Sequence, residues 1–185
     1  MSSRSRAICM LAAIGISTSV LGDNLGIGRP LTDAQISPWN IGVLPDGTGL
    51  PAGSGTVEAG KSVYEARCAA CHGQHGEGAI GDRLVGGIGT LASDKPLKTL
   101  GSFWPFATTA YDYIYRAMPY DRPKSLAPSE VYSVIAYLLY MNQIVDAATT
   151  LDAASLTKVR MPNRDGFTAD PRPDVANIPC MANCQ

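Results

Sequence analysis

Arg67-Cys68-Ala69-Ala70-Cys71-His72-Gly73 carries the pattern C-x-x-C-H, which reads as a site for covalent attachment of haem. Its three reactive groups have separate tasks. The thiols of Cys68 and Cys71 can add to the two vinyl groups of one macrocycle, and their spacing lets both sulfurs reach the same edge. His72, directly after the second thiol, is placed to bring an imidazole nitrogen to the iron, and a proximal histidine is a standard haem ligand. A redox dithiol would want a βαβ setting that these flanks lack. Half a zinc site would need further ligands, and the other close cysteine pair, Cys180 and Cys184, lies more than a hundred residues away.

Upstream, Val57, Val63, Tyr64 and Cys68 fall at helical spacing with charges between them, which predicts a helix over about 57–70. Gly60 within it costs about 1 kcal/mol relative to Ala, and is more easily understood if another helix crosses close by. Downstream, residues 73–87 are glycine-rich loop that lets main chain approach a flat cofactor. His75 is the only histidine besides His72; tethered three residues beyond it, it reads as a surface residue.

A second helix is predicted over 108–117, with Tyr111, Ile114 and Tyr115 on one face. Pro119 forbids its continuation and pushes Met118 out of the helical region, so Met118 sits on an extended turn that can present its sulfur. Trp104 and the tyrosines have polar tips that want partners, a task haem propionates would serve. The clearest helix opens at Pro128 with Glu130 in its first turn. Val131, Val134, Ile135, Leu138 and Met141 continue its apolar stripe to about Ile144.

The remainder frames this centre. A chain of 185 residues with a formal charge of −1 suggests one domain and gives no sign of nucleic-acid binding. Residues 1–22 read as a secretory signal peptide: Arg4 and Arg6 precede the mostly apolar or small run Ala7 to Val20, with Ser17, Ser19 and Gly22 near the cleavage region. That run is shorter than the roughly 20 residues of a membrane span. Cys9 within it has no assigned role. Export to the periplasm suits haem attachment outside the bacterial cytoplasm.

Residues 23–55 form an arm rich in Gly and Pro, in which Thr32-Asp33-Ala34-Gln35 resembles a capping box. Trp39 and Ile41 either anchor this arm or bind a partner, and large apolar residues are more often buried. Residues 146–185 are an irregular extension with one short helical turn within 147–157. In an exported protein Cys180 and Cys184 read as a local disulfide.

Taken together, Gly60, Tyr64 and Cys68 at four-residue steps, the segment Val134-Ile135-Ala136-Tyr137-Leu138, and Met118-Pro119 before the last helix resemble class I cytochrome c. The resemblance implies an all-α core of three to four helices around one covalent haem c, occupying residues 56–145. It implies crossing of the first and last helices at Gly60, with an aromatic nearby. It also makes His72 and Met118 the axial ligands. Asp82 stands where the family often has a proline whose carbonyl receives the axial histidine N–H, and Ala127 replaces the usual Ser/Thr cap. The arm, Gly101-Ser102-Phe103-Trp104-Pro105-Phe106, Arg116-Ala117-Met118-Pro119 and Arg160-Met161-Pro162-Asn163 are further similar to the cytochrome subunit of sulfite/sulfane dehydrogenases of the sulfur-oxidising (Sox) system. That likeness implies electron transfer from a molybdenum (molybdopterin) dehydrogenase subunit and onward to a downstream cytochrome.

Met161 also precedes a proline in a loop and competes with Met118 for the distal position. With a methionine bound, the iron has no open site and the protein is a one-electron carrier rather than an enzyme. The alternative is a peroxidase-like or ligand-binding haem protein with an open sixth site, for which His75 is the only candidate base. Arg67, Arg83, Lys95, Lys98 and Arg122 form either a basic rim or scattered surface charge.

Overall fold

The computed structural model describes residues 28–172. The expected signal peptide, Cys9, and the Cys180–Cys184 pair lie outside them. Residues to Pro38 and residues from Trp39 onward form two units. In the first, Thr32 opens a single turn, α1 (Asp33–Ile36), and its backbone N–H donates to Gln35 Oε1 at 3.0 Å, as the capping-box spacing predicts.

The second unit is helical, in keeping with the all-α expectation. It contains α2 (Val57–Arg67), α3 (Ala69–His72), α4 (Leu100–Phe103), α5 (Ala107–Ala117), α6 (Pro128–Met141) and α7 (Ala153–Leu156). Thr56 caps α2 by accepting the Ala59 N–H at 3.1 Å. At α6, Ala127 has no capping side chain, but Glu130 reaches back to accept the Ala127 N–H at 2.7 Å. This retains half of a capping box.

Helices α2 and α6 cross with Gly60 against Ser133 and Tyr137. The Tyr64 and Tyr137 rings meet at 5.5 Å beside the crossing. Helix α5 packs on α6 through Tyr111 and Tyr132, whose rings lie 4.6 Å apart. Val131, Ile135 and Leu139 of α6 are completely buried at the centre.

The structure differs from expectation in three places. The helix expected over 57–70 leaves helical geometry at Cys68 (φ −123°), and the haem motif forms its own turn, α3, closed by the Cys71 and His72 N–H groups on Cys68 O. Trp39 does not anchor the arm: it is 84% exposed, and the buried residue of that stretch is Val43. Finally, strands β1 (Ser54–Thr56) and β2 (Thr150–Asp152) pair antiparallel with Gly55 opposite Leu151. Local composition hides this ladder, because its partners lie almost a hundred residues apart. It brings Leu151 and Leu156 into the core, where Met161 joins them.

Candidate haem site

Short-range hydrogen bonds shape the motif turn. Gly73 N–H caps it on Ala69 O at 2.9 Å, and the buried Tyr64 hydroxyl donates to Gly73 O at 2.7 Å. Burial pushes the Tyr64 phenol up to about 12, with the nearby Cys68 thiol adding to the effect, so this donor keeps its proton. Cys68 is half-buried and Cys71 exposed. Burial, then the neighbouring Cys71, raises the Cys68 thiol to about 11, which keeps it neutral in the bare polypeptide.

His72 is held by the loop that follows. Its Nδ1 lies 2.6 Å from Asp82 O. The carbonyl expected at this position therefore meets the ring although no proline is present. A carbonyl can only accept, so Nδ1 carries the proton, and in the neutral ring Nε2 is the nitrogen left to act as a donor to iron. Gly81 N–H fastens the loop to Cys71 O at 2.8 Å. A Cβ on Gly81 would lie 2.9 Å from His72 Cε1, so only glycine lets the chain pass the imidazole here. Sequence reasoning did not single out Gly81; its position beside the expected acceptor was the available signal.

Met118 caps α5 in extended geometry (φ −118°, ψ 150°), as Pro119 requires. It lines the same cavity as Cys68, Cys71 and His72, a space of about 580 Å³ walled by Leu84, Leu100, Ile114, Leu126, Val134 and Leu138. Met161 does not line it; this methionine is 1% exposed within the core. His75 is exposed and also absent from the walls. Trp104 and Tyr113 pack edge to face at 5.6 Å on the cavity wall, while Ile80 and Tyr120 stand 92% and 87% exposed at its rim. Of the five basic residues considered, Arg67, Arg83 and Lys98 line the cavity, together with Asp82 and Asp121. The rim is thus mixed in sign rather than basic.

These residues fit a haem. The volume falls in the range of cofactor sites, and the lining is mainly apolar with few convergent polar groups. The donors are two thiols, an imidazole with its ring oriented by a carbonyl, and a thioether, a set suited to covalent haem c. Among the described residues no three His, Cys, Asp or Glu side chains cluster in a way that would hold a bare metal ion.

A helical core surrounding such a cavity defines a class I cytochrome c fold. Residues 55–138 match the family described as cytochrome C oxidase, cbb3-type, subunit III. The chain is 28% identical over 111 residues to thiosulfate dehydrogenase of Psychrobacter arcticus, spanning 58% of this chain but only 34% of that protein. It superposes on a chain of the sulfane dehydrogenase SoxCD from Paracoccus pantotrophus with a TM-score of 0.76 and 40% identity, covering 87% of this chain and 82% of that one. The chain belongs to the cytochrome c family and is similar to a chain of a Sox-type dehydrogenase. It is a cytochrome c-type electron carrier related to sulfur dehydrogenase subunits.

Proposed function

We propose that this protein is an exported, periplasmic monohaem cytochrome c that accepts electrons one at a time from a molybdenum sulfite/sulfane dehydrogenase subunit and passes them to a downstream cytochrome. Cys68 and Cys71 would hold one haem by thioether bonds, with His72 and Met118 as axial ligands. The observation that carries this reading is the convergence of these four side chains on one apolar cavity, with His72 Nδ1 bonded to Asp82 O.

When bound, the haem supplies an Fe(III)/Fe(II) couple. The chain's residues do the rest. The Asp82 carbonyl makes the His72 imidazole a stronger donor, which favours the oxidised state. The Met118 thioether favours the reduced state and raises the potential. The apolar walls keep water from the cofactor and add to that preference. With His72 and Met118 both holding the iron, no open site would remain for bond-making chemistry, and His75, the candidate base, lies outside the cavity walls.

Support for the partner comes from the likeness to a chain of SoxCD; supporting the compartment are the signal-like residues 1–22. The test is to express the full chain in a strain competent for haem attachment. Mass spectrometry should find one haem resistant to acid–acetone, lost in the C68S/C71S double variant. The oxidised protein should show a weak near-infrared Met–Fe(III) band. A purified molybdenum dehydrogenase subunit given its sulfur substrate should reduce it. High-spin spectra with tight cyanide binding and no methionine to displace would overturn the carrier reading.

A further inference from the structure

Asn142 is a buried amide that the proposed electron transfer does not use. It ends α6 and is 3% exposed. Its Oδ1 accepts the Gly86 N–H at 3.0 Å, and its Nδ2 donates to Leu84 O at 3.2 Å and to Leu138 O at 2.9 Å. Two of these bonds cross to a loop more than fifty residues away in sequence. Helix α4 closes over the amide: a Cβ on Gly101 would lie 2.3 Å from Oδ1.

The loop it grips carries the acceptor of His72. Asp82 O, which meets His72 Nδ1, lies two residues before Leu84. On one flank the loop is tied to the haem motif through Gly81 N–H to Cys71 O, and it is braced within itself by Leu84 N–H to Gly76 O. On the other flank it is tied to Asn142, with Thr99 Oγ1 adding a bond to Gly86 O at 2.6 Å. A primary amide is well suited to this node, since it accepts from one backbone N–H while donating to two carbonyls. An apolar residue would leave all three backbone groups without these partners.

We infer that Asn142 is a positioning residue for the axial imidazole: it clamps residues 84–86 to the end of α6 and thereby keeps the Asp82 carbonyl on His72 Nδ1. The inference rests on the reading of His72 as an iron ligand. Removing the clamp frees the carbonyl to drift, weakens the ring's hydrogen bond and leaves a poorer imidazole donor. The reduction potential then rises, because the oxidised state loses more support than the reduced one.

The test compares the full-length oxidised holoprotein with N142L, N142D and, as a control of equal disruption elsewhere, L156A. Ring-labelled histidine identifies the hyperfine-shifted His72 resonances by NMR, and solvent exchange of the ring N–H is timed. In N142L that exchange should be about tenfold faster, the size of one lost hydrogen bond, and the potential should rise. N142D keeps an acceptor for Gly86 but loses the donors to Leu84 and Leu138, so its ring N–H exchange should quicken as in N142L, whatever its added charge does to the potential, and it decides the matter if N142L does not fold. L156A should leave the exchange unchanged. Parent-like exchange in the Asn142 variants, or equal acceleration in L156A, overturns the positioning role alone. No hyperfine-shifted His72 ring in the parent overturns the ligand reading on which it rests.

Discussion

Gly60 and Ser133 touch backbone to backbone: a Cβ on Gly60 would lie 1.8 Å from Ser133 O and 2.5 Å from its carbonyl carbon. Helix α2, which leads into the haem motif, and helix α6 therefore cross with no side chain between them at this point. G60A is expected to destabilise the protein by about 2–3 kcal/mol or more, although alanine is the better helix former by about 1 kcal/mol. Denaturant unfolding of the holoprotein checks the sign. A stabilised variant would show that the crossing is looser than this contact requires.

The two candidate methionines should separate cleanly. M118L is expected to abolish the near-infrared methionine band and lower the potential, because Met118 lines the haem cavity. M161A should keep that band and instead cost about 2–5 kcal/mol of stability, since Met161 is buried in the core. Spectra and denaturant titrations of both variants make the comparison. Loss of the band in M161A with its retention in M118L would reverse the assignment.

Gly81 offers a steric probe of the imidazole. G81A places a methyl where only 2.9 Å separates it from His72 Cε1, so the ring must rotate or the loop must move off it. The haem should remain attached through the thiols, while the hyperfine shifts of the His72 ring change. Unchanged shifts would mean that the loop lies farther from the ring than described.

Asp112 straps the stretch before β1 onto α5. Its Oδ1 accepts the Val43 N–H at 2.8 Å, and its carboxylate pairs with Arg116. Partial burial alone would raise its pKa, but the hydrogen bonds from Arg116 and Val43 outweigh it and the carboxyl lies below its ordinary value. A depressed folded pKa contributes stability that is present above the unfolded value of about 3.9 and is lost as pH falls through the folded one. D112A should therefore cost about 1.5–3 kcal/mol at pH 7, with the gap to the parent narrowing below pH ~4. Thermal melts across pH 2.5–8 (a range of roughly that width brackets the carboxylate) read it, and a constant gap would exclude the charge as the cause.

The tail beyond α6 should matter for stability. L151A, in the β2 strand paired with β1, removes a side chain that is 2% exposed and should cost about 2–5 kcal/mol. A loss near zero would return residues 146–161 to the role of a loose extension.

What the sequence by itself determined was local chemistry and period. C-x-x-C-H points to haem attachment, because that spacing suits two thiols and an imidazole to one macrocycle. The Pro119 ring ends α5 and leaves Met118 extended whatever surrounds it. The tyrosine and valine stripes placed α5 and α6, and Gly60 inside α2 pointed to a close crossing helix. Tertiary structure decided what depends on groups distant along the chain. It chose Met118 over Met161 for the cavity wall, since both precede proline and only packing tells them apart. It paired β1 with β2, exposed Trp39 and buried Val43, and set Asn142 between α6 and the loop that holds His72. The physical reason is the same in each case: spacing along one element governs which face a residue occupies, whereas burial and hydrogen-bond partners across large separations are settled only when the elements pack.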